Sequence, residues 1–152
     1  DQGVSVDIYL AVMENKSDSP LDFDRRVQAV SEFLKLEASP ALIASNKRVG
    51  NILSKNSKGS MVFDTSLLTD GAEINLAKSL TQVKQSNLVA LAKGDYQQAL
   101  QDLSQLAVPL DQFFSDIMVM ADDEALKNNR LALLAELQVE LGQVADISLL
   151  TR

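Results

Sequence analysis

The run NKRVGNILSK, from Asn46 to Lys55, is where residue types and spacing come nearest to a chemical task. Helical spacings of one, four and eight set Lys47, Arg48, Asn51 and Lys55 on one side, while Leu42, Val49, Ile52 and Leu53 fall on the other. Ammonium and guanidinium groups meet phosphates, and an amide offers both donor and acceptor to a base edge, so the face suits single-stranded RNA. On spacing alone, an ordinary exposed basic face is the plainer reading. Asn46 lies on the apolar stripe and reads as a buried, hydrogen-bonded structural amide. No glycine-rich phosphate loop is present, and Gly50 reads as a position that lets helices pack closely.

Other chemistry is poorly supplied. The chain has neither Cys nor His, which excludes disulfides, zinc fingers, Cys or His nucleophiles and imidazole bases. Asp122 and Asp123 form an acidic pair, but adjacent carboxylates ahead of a helix are normally caps rather than a catalytic or metal pair. Phe113 and Phe114 belong to an apolar helical stripe, which assigns them to core packing before base stacking. Arg130 borders an apolar face and needs either an acidic partner, with Asp111 and Asp116 as candidates, or a phosphate. Asp146, near apolar neighbours, is placed to accept from a buried donor or from a cytosine amino group, the structural option being the plainer.

The elements that must position these residues are helical. Apolar residues make up 46% and charged residues 23%, the balance of a soluble globular chain, and 152 residues suffice for one domain with its own core. Six Gly, three Pro and abundant Leu, Ala, Gln, Lys and Glu predict an all-α bundle of about seven helices. The first runs roughly over 4–14, and the second opens at Asp22 or Asp24 and reaches about Leu36. Ser39 as N-cap with Pro40 at the first helical position starts the third, which extends to about Lys55. After a polar loop around Lys58, Asp70 caps a long fourth helix that Gly94 stops near Lys93. A short fifth helix spans about 95–107, and Pro109 starts a sixth carrying Leu110, Phe113, Phe114, Ile117 and Met118. Asp122 or Asp123 caps the seventh, whose apolar face continues to Val144. The chain opens on Asp1 with residues that already look helical, as a piece cut from a longer polypeptide would, and no apolar run of about 18 residues or leader pattern points to a membrane, leaving the cytoplasm as the plain choice.

Net charge is −7, which by itself argues against a polyanionic partner. Its distribution argues otherwise. From Asp24 to Ser60 there are seven basic residues against three acidic; from Asp95 to Asp146 there are two basic against ten acidic. A polyanion would be confined to the second and third helices.

Several runs together resemble the beta subunit of the bacterial two-subunit glycyl-tRNA synthetase. PLDFDRRVQAVSEF from Pro20, NKRVGNIL from Asn46, VPLDQFFSDIMVMADDEALKNNRLALL from Val108 and the closing VADISLL carry the resemblance, which covers nearly the whole chain. It departs from the family pattern at Leu110, Ser115 and Gly142, and NNRLALL from Asn128 occupies the stretch where the related arginyl enzymes carry a DALR signature. The resemblance implies a helical, DALR-type anticodon-binding domain that is itself non-catalytic. ATP-dependent glycine activation, with ATP and magnesium, would belong to the alpha subunit.

The partners so implied are tRNA(Gly), the alpha subunit and the rest of the beta subunit, with no DNA and no membrane. Glycine codons share two guanines, so the matching anticodons share two cytosines. On this reading Lys47, Arg48 and Lys55 hold the anticodon-stem backbone while Asn51, with Asn129 and Arg130, faces the bases. Two alternatives remain: a helical docking module whose acidic face meets another subunit or domain, and the anticodon domain of an arginyl-tRNA synthetase, which the VADISLL ending disfavours.

Overall fold

Apolar side chains recurring at helical spacing give seven α-helices in the computed structural model, which describes residues 6–13, 20–56, 64–68, 71–117, 119 and 122–150. They are α1 (Val6–Met13), α2 (Pro20–Phe33), α3 (Ser39–Asn56), α4 (Gly71–Ala92), α5 (Tyr96–Leu103), α6 (Ala107–Asp116) and α7 (Glu124–Leu141). Three short 3-10 turns, Thr65–Leu67, Ser104–Leu106 and Ile147–Leu149, complete the regular structure, and no strand occurs among the described residues. Helix α5 packs on α2 and α4, α6 packs on α4 and α3, and α3 lies along α7. The terminal 3-10 turn fills the gap between α1 and α3. Phe33, Leu42, Ile43, Leu80, Leu103 and Phe113 are among the side chains fully withdrawn from water at the centre. Truncating any one of these Leu or Phe residues to Ala should cost about 2–5 kcal/mol.

Helix ends follow local hydrogen-bond demand. Gly94, at φ +70°, closes α4 with paired bonds from Gly94 N to Leu91 O (3.0 Å) and Asp95 N to Ala90 O (2.8 Å), a left-handed cap that glycine adopts without a Cβ penalty. Asp95 then accepts from Gln98 N at 3.1 Å and so opens α5 one residue later. Asp123 accepts from Ala125 N and Leu126 N and opens α7, so this half of the acidic pair is a cap.

Several expected boundaries move. α2 ends at Phe33 rather than Leu36, and the hydroxyl of Ser39 donates to Leu34 O (3.3 Å) and Leu36 O (3.0 Å) instead of accepting as an N-cap. Ser39 itself is buried, and its hydroxyl supplies a donor to carbonyls left without helical partners beyond the end of α2. Pro109 does not start α6. α5 passes through the 3-10 turn directly into a helix that begins at Ala107, and Pro109 sits in its first turn, where a missing N–H costs nothing. α6 stops at Asp116, so Ile117 reaches the core from an extended backbone. α7 stops at Leu141, leaving Val144 in a buried, non-helical segment. The expected cap at Asp70 and the loop at Lys58 lie outside the described residues.

The largest correction concerns Arg130. The residue is 8% exposed, and the carboxylate it meets belongs to neither Asp111 nor Asp116 but to Glu73 of α4, whose side chain is fully buried. Arg130 Nε donates to Glu73 Oε2 at 3.0 Å and Nη2 to Oε1 at 3.3 Å, a two-pronged pair across the core. Arg130→Ala should lower unfolding free energy by about 3–5 kcal/mol, because it removes the two-pronged cationic partner of a buried carboxylate. Replacing both residues by Leu should restore most of that loss in urea titrations; a single variant that loses less than about 1 kcal/mol would contradict the assignment.

Candidate nucleic-acid interface

α3 buries Leu42, Ile43, Val49 and Leu53 against the bundle and leaves Lys47, Arg48, Asn51 and Lys55 exposed on its outer face. The spacing therefore places these four side chains together as expected. Arg26, Lys35, Lys84, Lys127 and Arg130 each face a carboxylate within ion-pair distance, whereas no ion pair among the described residues uses Lys47, Arg48 or Lys55. Arg48 has a different partner. Its guanidinium carbon lies 4.4 Å from the centroid of the Phe114 ring, which orients the side chain without neutralising it. Phe114 is correspondingly half-buried at the rim, while Phe113 is fully in the core and meets it edge-on.

Asn129 and Arg130 do not join this face. Asn129 is 5% exposed, accepts from Asp64 N at 2.5 Å and donates to Asp64 O at 3.1 Å, clipping the segment before the first 3-10 turn onto α7. Asp64 in turn accepts from Ser66 N and Oγ, bonds that hold its carboxyl below the ordinary carboxylate range. The asparagine amide and the Arg130 guanidinium are thus both occupied inside the protein, so the expectation that they face bases is corrected. What marked them was a polar residue at an apolar helical position, a signal that burial with a partner explains as well as binding does.

A cleft of about 530 Å³ lies along the same side of α3. Asn46, Lys47, Gly50 and Asn51 of α3 form one wall, Gln138 and Gly142 at the end of α7 the other, and Asp146 and Ser148 close it. Asp146 accepts from Ser148 N (3.1 Å) and Ser148 Oγ (2.5 Å), while its own N–H donates to Ala11 O (2.9 Å). Spacing alone singled out neither Gln138 nor Ser148. Asn46 is buried as expected, yet no hydrogen bond among the described residues holds its amide, which opens on the cleft. Gly50 is not dictated by crowding: a Cβ there would meet only Gln138 Nε2, at 3.6 Å.

The far wall is held by Arg26. Its Nη1 donates to Gln143 O (3.0 Å) and Val144 O (2.8 Å), its Nε to Asp22 (2.8 Å), and the guanidinium lies 4.3 Å from the Tyr96 ring centroid. The Tyr96 hydroxyl donates to the other oxygen of Asp22. Arg26, counted within the basic region, is therefore consumed by structure.

The fold and this basic face define a class, and comparison with known proteins agrees with it. Residues 42–147 match the DALR anticodon binding domain, and the chain belongs to that family. The match takes in most of α3, all of α7 and Asp146. More particularly, the chain is 53% identical over 152 residues to the glycine--tRNA ligase beta subunit of Shewanella sp. strain W3-18-1 and 54% identical to that of Shewanella denitrificans. In both comparisons 99% of this chain is covered; it spans 22% of the length of these relatives. Among the described residues, no helix is long and apolar enough to cross a membrane.

Burial, and then the bond to Asp22, raise the Tyr96 pKa above its usual value near 10. The folded state holds the phenol proton more tightly than the unfolded chain. The resulting stability is whole below about pH 10 and is lost as pH rises through the raised folded value. Tyr96→Phe should cost about 1–2 kcal/mol at neutral pH, with the gap to wild type closing above about pH 10 in denaturant titrations. A gap that does not vary up to strongly alkaline pH would contradict this role.

Proposed function

We propose that the outer face of α3 grips the anticodon arm of tRNA(Gly), as part of a glycine--tRNA ligase whose catalytic centre lies outside this chain. Lys47, Arg48 and Lys55 meet backbone phosphates, and Asn51 faces the bases. The observation that carries the reading is a cluster of cations: Lys47, Arg48 and Lys55 stand exposed on one face of α3 outside any described ion pair, whereas Arg26, Lys35, Lys84, Lys127 and Arg130 each meet a carboxylate. An acidic body around one basic helix confines a polyanion to that helix. Binding ATP and magnesium, and working in the cytoplasm beside an alpha subunit, would be properties of the whole ligase.

The test is binding of the purified chain to a glycine-tRNA anticodon stem-loop, and to one with both shared cytosines changed, across a salt series. Tighter, salt-sensitive binding to the native loop is expected. Lys47→Ala with Arg48→Ala should weaken it by about 10-fold or more and flatten the salt slope by about two phosphate contacts. Binding unaffected by the double substitution would remove α3 from the interface.

A second reading, docking, is favoured by α1. This helix buries Ile8, Ala11 and Val12 yet also exposes Val6, Tyr9, Leu10 and Met13, a second apolar stripe at intervals of three and four residues. The docking surface is thus apolar rather than the acidic face expected from charge, and a helix apolar all round is normally covered. Its occupant would be the remainder of the longer polypeptide, of which this chain makes up about a fifth in its relatives. Appending the chain to the rest of the subunit should protect α1 amides from hydrogen exchange, and Leu10→Lys should abolish the protection. Equal exchange in both contexts would leave the stripe without this role.

A further inference from the structure

The cleft beside α3 has no assignment in the reading above beyond its proximity to Asn51. We propose that it receives one unstacked cytosine of the anticodon and reads its amino group with Asp146, an inference that rests on the anticodon-binding reading.

Its lining excludes most other ligands. Every described residue lining it is either glycine or polar, so an apolar ligand would desolvate amides, a carboxylate and an ammonium for nothing in return. Its volume lies within the range of about 300–1,000 Å³ usual for small-ligand sites. Gly50 and Gly142 stand on facing walls without side chains, which leaves room for a flat ring to lie against backbone. Lys47 belongs to both the cleft and the cationic face, so a strand whose phosphates follow α3 has a base within reach of the opening.

Asn46 adds a polar group to the same cleft. The residue is 5% exposed, lines the cleft, and makes no hydrogen bond among the described residues. Its amide therefore keeps both donor and acceptor available on the cleft side. Together with Gln138 and Asn51 it can donate to a ring nitrogen and a carbonyl oxygen.

Asp146 decides which base. Oδ1 already accepts two bonds from Ser148, which fixes the carboxylate, while Oδ2 has no described donor. A fixed carboxylate oxygen accepts from the exocyclic amino group of cytosine and repels the carbonyl that uracil presents at the same place. Donors for O2 and N3, together with an acceptor for N4, match the full Watson–Crick edge of cytosine.

The test uses the 152-residue chain and anticodon stem-loops in which each shared cytosine is changed singly to uracil. Wild type should prefer cytosine at one position by about 10-fold. Gly50→Leu, which fills the cleft with a good helix former, should erase that preference while salt-sensitive binding persists. Asp146→Asn keeps a capping side chain of the same shape but supplies an amide donor, and should reduce the preference or turn it toward uracil. Circular dichroism melts confirm that both variants are folded. If wild type binds and discriminates but neither folded variant changes the discrimination, the cleft assignment is overturned and the anticodon reading stands. If wild type binds the native loop no better than an unrelated hairpin, both fall.

Discussion

Arg130 sets the terms of this fold. A guanidinium withdrawn from water is tolerable only with a matched anion, and Glu73, fully buried on α4, is that anion. The pair fastens α7 to α4, and two further polar contacts repeat the fastening in the same chain order: Lys84 with Glu136 at 2.5 Å, and Asn87 Nδ2 donating to Glu140 Oε1 at 3.1 Å. The backbones of α4 and α7 approach each other over a shorter stretch than those of α3 and α7. Directional polar contacts therefore set the register of α7, and with it the position of everything α7 carries.

What α7 carries is one wall of the cleft. Gln138 lies eight residues beyond Arg130, about 12 Å along the axis, and Gly142 ends the helix. From there the chain turns back through Val144 to the 3-10 turn at Ile147–Leu149, where Arg26 holds the carbonyls of Gln143 and Val144 and Ala11 accepts from Asp146 N. The opposite wall, α3, rests on α6 and α7 through its apolar side. A surface that must present charges at fixed separations is thus mounted on helices locked from behind, which is how side chains are held ready without ordering loops on binding.

The electrostatics follow from the same division of labour. With a net charge of −7 the molecule as a whole repels nucleic acid. Two of its cations are spent inside the fold: Arg26 on α2 ties down the segment after α7, and Arg130 holds α4. Lys47, Arg48 and Lys55 escape this because α3 turns no carboxylate toward them. Repulsion elsewhere then sharpens the preference for that one helix over non-specific contact along the body.

Local rules governed what could be read directly. Apolar spacing located all seven helices, Gly94 and Asp123 ended and began helices as their chemistry requires, and the α3 face was legible because residues three and four apart on one helix are neighbours whatever surrounds them. Glu73 was visible in principle, standing on the apolar stripe with Leu76, Ala77 and Leu80, but periodicity cannot say which distant residue such a group meets. The same limit explains Asn129 and Arg130, polar residues at apolar positions whose partners, Asp64 and Glu73, lie 65 and 57 residues away in the chain. It also explains Ser39, a buried residue whose hydroxyl serves the carbonyls of Leu34 and Leu36 behind it. By itself, then, the sequence determined the helices, the ends at Gly94 and Asp123 and the cationic stripe, because each depends on contacts within about one or two helical turns. Only the tertiary structure decided which polar residues are consumed inside the protein and which face outward, and that Asn46, Gln138 and Asp146 share one cleft, because those outcomes depend on which helices pack together.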